Sequence, residues 1–150
     1  MSIVRATLFA LVLVATVSAC GPRATELLRA DRQFSDGSWQ AARNAYDRLA
    51  ARADVTPETR AQALTGSAQA SVKLGDLPGA RDRLERAIVP DLPGITEPAL
   101  FYLAELLREV DHARALNLYY RAAAGAEKHR GGHFPYRAAM DRILELSMSH

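Results

Sequence analysis

One pattern in this chain occurs three times, and it constrains the fold more than any other feature. Gly37-Ser38-Trp39-x-x-Ala42, followed by Tyr46 and Leu49, returns 38 residues later as Gly75-Asp76-Leu77-x-x-Ala80, followed by Leu84 and Ala87. A further copy, Asp111-His112-x-x-Ala115 with Tyr119 and Ala122, follows after another 35 residues. A period of that size is the mark of stacked helical hairpins. Each hairpin is too small to bury its own apolar face, so neighbours must share a core. Nothing in the chain alternates with period two for long enough to make a strand. The expectation is an all-α protein.

Breakers set the helix limits. Thr56-Pro57-Glu58 is a helix start, with Thr56 as cap, Pro57 in the first turn and Glu58 complementing the helix dipole. Val89 to Ile95 (VPDLPGI) reads as a loop, Thr96-Glu97-Pro98 restarts helix, and Gly131-Gly132-His133-Phe134-Pro135 ends the last long stretch. Seven helices are expected: Ala24–Ser35, Trp39–Ala53, Pro57–Leu74, Leu77–Val89, Glu97–Val110, His112–Lys128 and Pro135–Met148. Composition agrees, because alanine occurs 28 times and arginine supplies 17 of 19 basic residues, both strong helix formers.

The best copy of the pattern is Leu64-x-x-Ser67-Ala68-x-x-Ser71-x-x-x-Gly75-Asp76-Leu77-x-x-Ala80-x-x-x-Leu84-x-x-Ala87. It resembles the tetratricopeptide repeat (TPR) family. There, small residues such as Ala68, Ala80 and Ala87 let helices approach one another, and the glycine takes the turn. The first copy keeps Ala30, Gly37, Trp39, Ala42 and Tyr46 but has Glu26 where a large apolar residue is expected. The third keeps Leu100, Leu103, Ala104, Leu107, Ala115, Tyr119 and Ala122, with Val110-Asp111 in a turn one residue shorter. The resemblance implies a short TPR-like solenoid of about three hairpins over residues 24–130. Residues 131–150 are then a C-terminal capping helix, with Tyr136, Ala139, Met140, Ile143 and Leu144 as its apolar stripe.

The N-terminus carries a different signal. Ala6 to Val17 is a 12-residue apolar run after a short basic start. It is too short for a bilayer core of about 30 Å but suits the h-region of a signal peptide. Val17-Ser18-Ala19-Cys20 resembles the bacterial lipobox, although Val17 stands where that family prefers Leu. The resemblance implies cleavage after residue 19 and acylation of Cys20, the one Cys of the chain, with residues 20–23 as lipidated start and short tether. Gly21 rather than Asp after the Cys implies the periplasmic face of the outer membrane. A plain secretory signal with an incidental Cys, or a buried N-terminal helix, is the alternative reading.

Chemistry is sparse. One Cys excludes an internal disulfide framework, and 19 basic against 17 acidic residues leave no footprint for nucleic acid. There is no P-loop and no Gly-x-Ser-x-Gly elbow. His129 and His133 flank Gly131-Gly132, so no helix sets both on one face for a metal. His112 reads as a surface residue, and Glu105 with Glu109 as a solvated i,i+4 pair. The expectation is no enzyme, no metal and no cofactor beyond the lipid on Cys20.

What remains is binding. Trp39, Tyr46, Tyr102 and Tyr119 are expected in packing positions and Tyr120 outside. In TPR arrays the first helix of each pair lines a concave groove. Residue by residue, the groove positions carried over are Leu27, Asp31 and Phe34, then Gln62, Thr65, Gln69 and Lys73, then Phe101, Glu105 and Arg108. That set lacks the Lys, Arg and Asn cluster that clamps a terminal carboxylate, so an internal amphipathic segment is the better-fitting ligand, with Phe34 and Phe101 as anchors or as the edge of the core. The reading is an outer-membrane-anchored adaptor that binds a protein partner in assembly of an envelope machine (barrel, secretin or pilus). An accessory subunit of a cell-wall or exopolysaccharide enzyme complex is the competitor.

Overall fold

The computed structural model describes residues 22–90, 92, 94–128 and 136–148. The signal-peptide, Cys20 and His129/His133 expectations therefore lie outside the described residues. Among those described there are seven α-helices and no strand: α1 (Pro22–Ser35), α2 (Trp39–Ala51), α3 (Pro57–Lys73), α4 (Leu77–Ala87), α5 (Thr96–Leu107), α6 (His112–Lys128) and α7 (Tyr136–Met148). Four end earlier than the periodicity predicts, α3 by the single residue Leu74, which caps it. Helix α4 stops at Ala87, because Val89 precedes Pro90 and such a residue is pushed out of the helical region. Helix α2 gives way at Arg52, which is extended at ψ 137°, and α5 yields to a turn after Leu107.

The turns explain the repeat. At both Gly37 and Gly75 the chain takes φ +79°, which glycine adopts without a Cβ penalty. Ser38 N–H then donates to the Gln33 carbonyl and Asp76 N–H to the Ser71 carbonyl, both at 2.9 Å. That six-to-one bond closes a helix end in the Schellman manner. The third turn has no glycine and closes one residue sooner, with Asp111 N–H donating to the Leu107 carbonyl at 2.8 Å. Its Asp111 carboxylate nevertheless accepts from Arg114 N–H at 3.0 Å, as Asp76 accepts from Gly79 N–H at 3.0 Å. Two different turns thus deliver the same cap. Thr56 does likewise for α3, its hydroxyl accepting from Thr59 N–H at 3.2 Å with Pro57 behind it.

Consecutive helices pack as pairs, α1 with α2, α3 with α4 and α5 with α6, and each pair rests on the next. First helices also touch one another, α1 with α3 and α3 with α5. Between consecutive helices the thinnest contact is that of α4 with α5, across the loop containing Pro90 and Gly94. Ala42, Ala68, Ala80 and Ala115 are all 0% exposed, at the centre of one continuous core. Tyr46 and Tyr119 are buried with them. Trp39 and Tyr102 are not: at 37% and 36% exposed they sit at the rim of the core rather than within it, a correction to their expected packing roles. Tyr120, at 52%, faces outward as its doublet geometry predicts.

Helix α7 packs on α6 through Ala139, Ile143 and Leu146, with Met140 at the margin. The i, i+4, i+7 stripe is therefore rotated from the expected one, and Tyr136 and Leu144 point to the exposed side with Met148. The outer face of the last helix is consequently part apolar.

Gly66, in the middle of α3, is set by contact rather than by turn geometry. A Cβ there would meet the Tyr46 ring at 2.6 Å. In an open helix Gly→Ala gains about 1 kcal/mol. Here Gly66→Ala should instead lower stability in urea unfolding, and a gain would show that the ring does not lie on this helix. Ala80→Leu should cost about 1–3 kcal/mol by the same measurement, through overpacking.

Candidate functional site

The groove positions fall on α1, α3 and α5, with Arg108 just past the end of α5, and several are already engaged inside the protein. The Tyr46 hydroxyl donates to Asp31, joining α2 to α1, and the Tyr119 hydroxyl donates to Glu105, joining α6 to α5. Both are short bonds at equivalent places in the first and third pairs. In the second pair the equivalent positions are Gln69 and Leu84, where no hydroxyl is present. An acid stands where a tyrosine faces it and an amide where a leucine does. Burial, then the bond to the carboxylate, pushes both tyrosine hydroxyls well above their ordinary range.

Glu105 also receives Arg142 Nε of α7 at 3.0 Å, so one carboxylate oxygen gathers three helices. It is not the solvated partner of Glu109 that the sequence predicts. Glu109 pairs instead with its neighbour Arg108, Nε to Oε1 at 3.0 Å. Thr65 is buried, its hydroxyl donating to the Ala61 carbonyl at 2.9 Å, so it does not line an open surface. Leu27 and Phe34 are partly buried against the core. Phe101 is as well, with its ring 5.7 Å from those of both Tyr102 and Tyr119 in edge-to-face geometry. Gln69 is half-buried, and Gln62 and Lys73 are exposed. Of the expected groove positions, Gln62 and Lys73 are thus left exposed, with Gln69, Phe34 and Phe101 half-buried beside them.

A second polar tie crosses between pairs. Arg83 on α4 donates to Asp47 on α2 through Nη2 at 2.8 Å and Nε at 3.1 Å, and Ser67 on α3 donates to the same carboxylate at 2.6 Å. Burial alone would raise the Asp47 carboxyl, but hydrogen bonds from Arg83 and Ser67, with the charges of Arg83 and Arg43, outweigh it and hold the group below the usual carboxylate range. The next pair has a simpler counterpart, Arg114 Nη2 to Glu85 Oε1 at 3.0 Å between α6 and α4. The spacing of the two acids, 38 residues from Asp47 to Glu85, is the signal that could have revealed these ties.

Sequence reasoning also missed a cleft of about 690 Å³ between α1 and α2, lined by Glu26, Arg29, Gln33, Ala45, Arg48, Ala51 and Arg52. Its residues recur at i, i+3 and i+7 on two antiparallel helices, a face the TPR pattern leaves unassigned. His112, the described histidine, opens α6 with Nδ1 2.7 Å from the Arg108 carbonyl. Among the described residues no three His, Cys, Asp or Glu side chains converge as metal ligands, and no helix is long and apolar enough to cross a membrane. No family model, curated protein or solved structure matches this chain.

The lowered Asp47 carboxyl fixes a sign for pH. Its stabilisation is present above the unfolded carboxylate value of about 4 and is lost as pH falls through the lower, folded value. In urea unfolding across pH 2 to 6, Asp47→Asn should therefore be less stable than the unmodified chain at the upper end. The gap should close toward pH 2, and an unchanging gap would remove Asp47 as the titrating group.

Proposed function

We propose that this protein is a lipid-tethered, TPR-like adaptor that presents the row of its first helices to a protein partner at the periplasmic face of a bacterial outer membrane. The single observation behind this reading is the packing of consecutive helix pairs around Ala42, Ala68, Ala80 and Ala115, the positions that the repeat pattern reserves for small residues. Arrays of this kind make extended surfaces from neighbouring repeats. The tether rests on the lipobox-like Val17-Ser18-Ala19-Cys20, and the acyl chains on Cys20 would supply the stable anchoring that one chain alone does not.

The partner surface in this proposal is amphipathic and mild in charge. Lys73 and Gln62 offer polar contacts, and the exposed edges of Phe34 and Phe101 offer apolar ones. An extended or helical segment with spaced apolar side chains fits such a strip better than a free C-terminus. Asp31 and Glu105 hold helix pairs together in this scheme and are not partner contacts.

Two measurements test it. Intact mass of protein purified from envelopes should show loss of residues 1–19 and addition of acyl chains. A Cys20→Ser protein that stays with the membrane fraction would count against the tether. For the surface, Gln62→Arg with Lys73→Glu should reduce partner capture at least tenfold with melting within about 2 °C of the unmodified chain, since exposed substitutions change stability little. Undiminished capture would remove the first-helix row as the binding face. Phe101→Ala serves as the structural comparison and should lower melting, because its ring packs on Tyr119.

A further inference from the structure

The cleft between α1 and α2 holds three guanidinium groups against one carboxylate. Arg52 is spoken for: it donates to Glu26 at 2.8 Å and to both carboxylate oxygens of Asp54 at 2.9 Å. Arg29 and Arg48 are different. Neither makes a hydrogen bond or ion pair among the described residues, whereas Arg83, Arg114 and Arg142 are each engaged with an acid. Both are exposed, so both forks can reach a ligand in the cleft. Gln33 lines the floor, and its Oε1 is buried with no donor. No bond to that oxygen fixes the amide, and its last torsion has a broad profile, so the amide can turn its Nε2 donor toward a ligand.

Two uncommitted guanidinium groups flanking a polar cleft match a tetrahedral phosphate. Arginine's planar fork meets phosphate oxygens in pairs and is less strongly hydrated than an ammonium. We infer that the α1–α2 cleft is a binding site for the phosphate of an anionic phospholipid headgroup. The choice of a lipid rests on the tether proposed above. Arg29 lies seven residues beyond Pro22, where α1 begins, and Cys20 stands two residues before Pro22. At 1.5 Å per helical residue the cleft is on the order of 15 Å along the chain from the acylated residue. An arginine side chain shortens that gap, and each Arg near an anionic surface adds attraction.

The test uses the full chain, purified from envelopes in a non-ionic detergent, with the arginine Nε–Hε signals followed by NMR. Phosphatidylglycerol added to the micelles should shift the Arg29 and Arg48 signals saturably, and phosphatidylcholine at the same mole fraction should not. Arg29→Gln with Arg48→Gln, followed through the Gln33 side-chain amide signals in the same cleft, should weaken that binding about tenfold or more at unchanged melting. Arg32→Gln, exposed and outside the cleft, should leave it unchanged. Equal shifts with both lipids, no shift with either, or an equal loss in Arg32→Gln would overturn the site. Inorganic phosphate saturating the same signals while phosphatidylglycerol does not would overturn the lipid as ligand. Intact mass of the same sample reads the tether separately: an unacylated Cys20 beside lipid-dependent shifts sinks the tether and leaves the cleft standing.

Discussion

Close approach of helix backbones through alanine is the constraint on which this protein depends. At Ala42, Ala68, Ala80 and Ala115 the side chain is one methyl group and its exposure is zero. Nothing larger fits where the helices cross, and nothing smaller would fill the space. The same demand is sharper at Gly66, where the Tyr46 ring takes the volume a Cβ would need. It recurs at Gly125, whose missing side chain makes room for Glu97, a carboxylate buried in the first turn of α5 where the helix dipole favours it.

Alanine contacts have a cost in information. A buried methyl contributes only about 0.8 kcal/mol and many registers of two Ala-rich helices look alike. Polar ties remove that ambiguity. The Tyr46–Asp31 and Tyr119–Glu105 bonds fix the pairing within the first and third hairpins, and Arg83–Asp47–Ser67 fixes the second hairpin against the first. A slip of one residue in either helix would leave a buried hydroxyl and a carboxylate without each other, which costs more than a shifted methyl.

Much of the architecture was legible because it is written in breakers and small residues. Thr56-Pro57, Gly37, Gly75 and Asp111 mark helix ends by local chemistry that tertiary packing has no reason to override. Trp39 and Tyr102 were misplaced because a repeat position says that a side chain packs, not how much of a large ring the neighbours can cover. The α7 stripe was rotated for a related reason: Leu144 and Leu146 are equally apolar, and only the position of α6 chooses between them. The groove was hardest to read. A family pattern transfers positions but not partners, so Asp31, Thr65 and Glu105 look available until the groups that occupy them are seen.

The thin contact between α4 and α5 has a consequence for how the protein comes apart. In a linear array each hairpin is stabilised by its own contacts and by those with its neighbours, so the sparsest junction is where cooperativity is lowest. That junction divides the chain into a block of α1 to α4, bound by Arg83 and Asp47, and a block of α5 to α7, gathered on Glu105. A sparse seam of this kind favours opening of one block before the other. Mechanical load entering at the N-terminal end would reach the first block directly and the second through the thin α4–α5 seam, the small α3–α5 contact and the Arg114–Glu85 ion pair between α6 and α4.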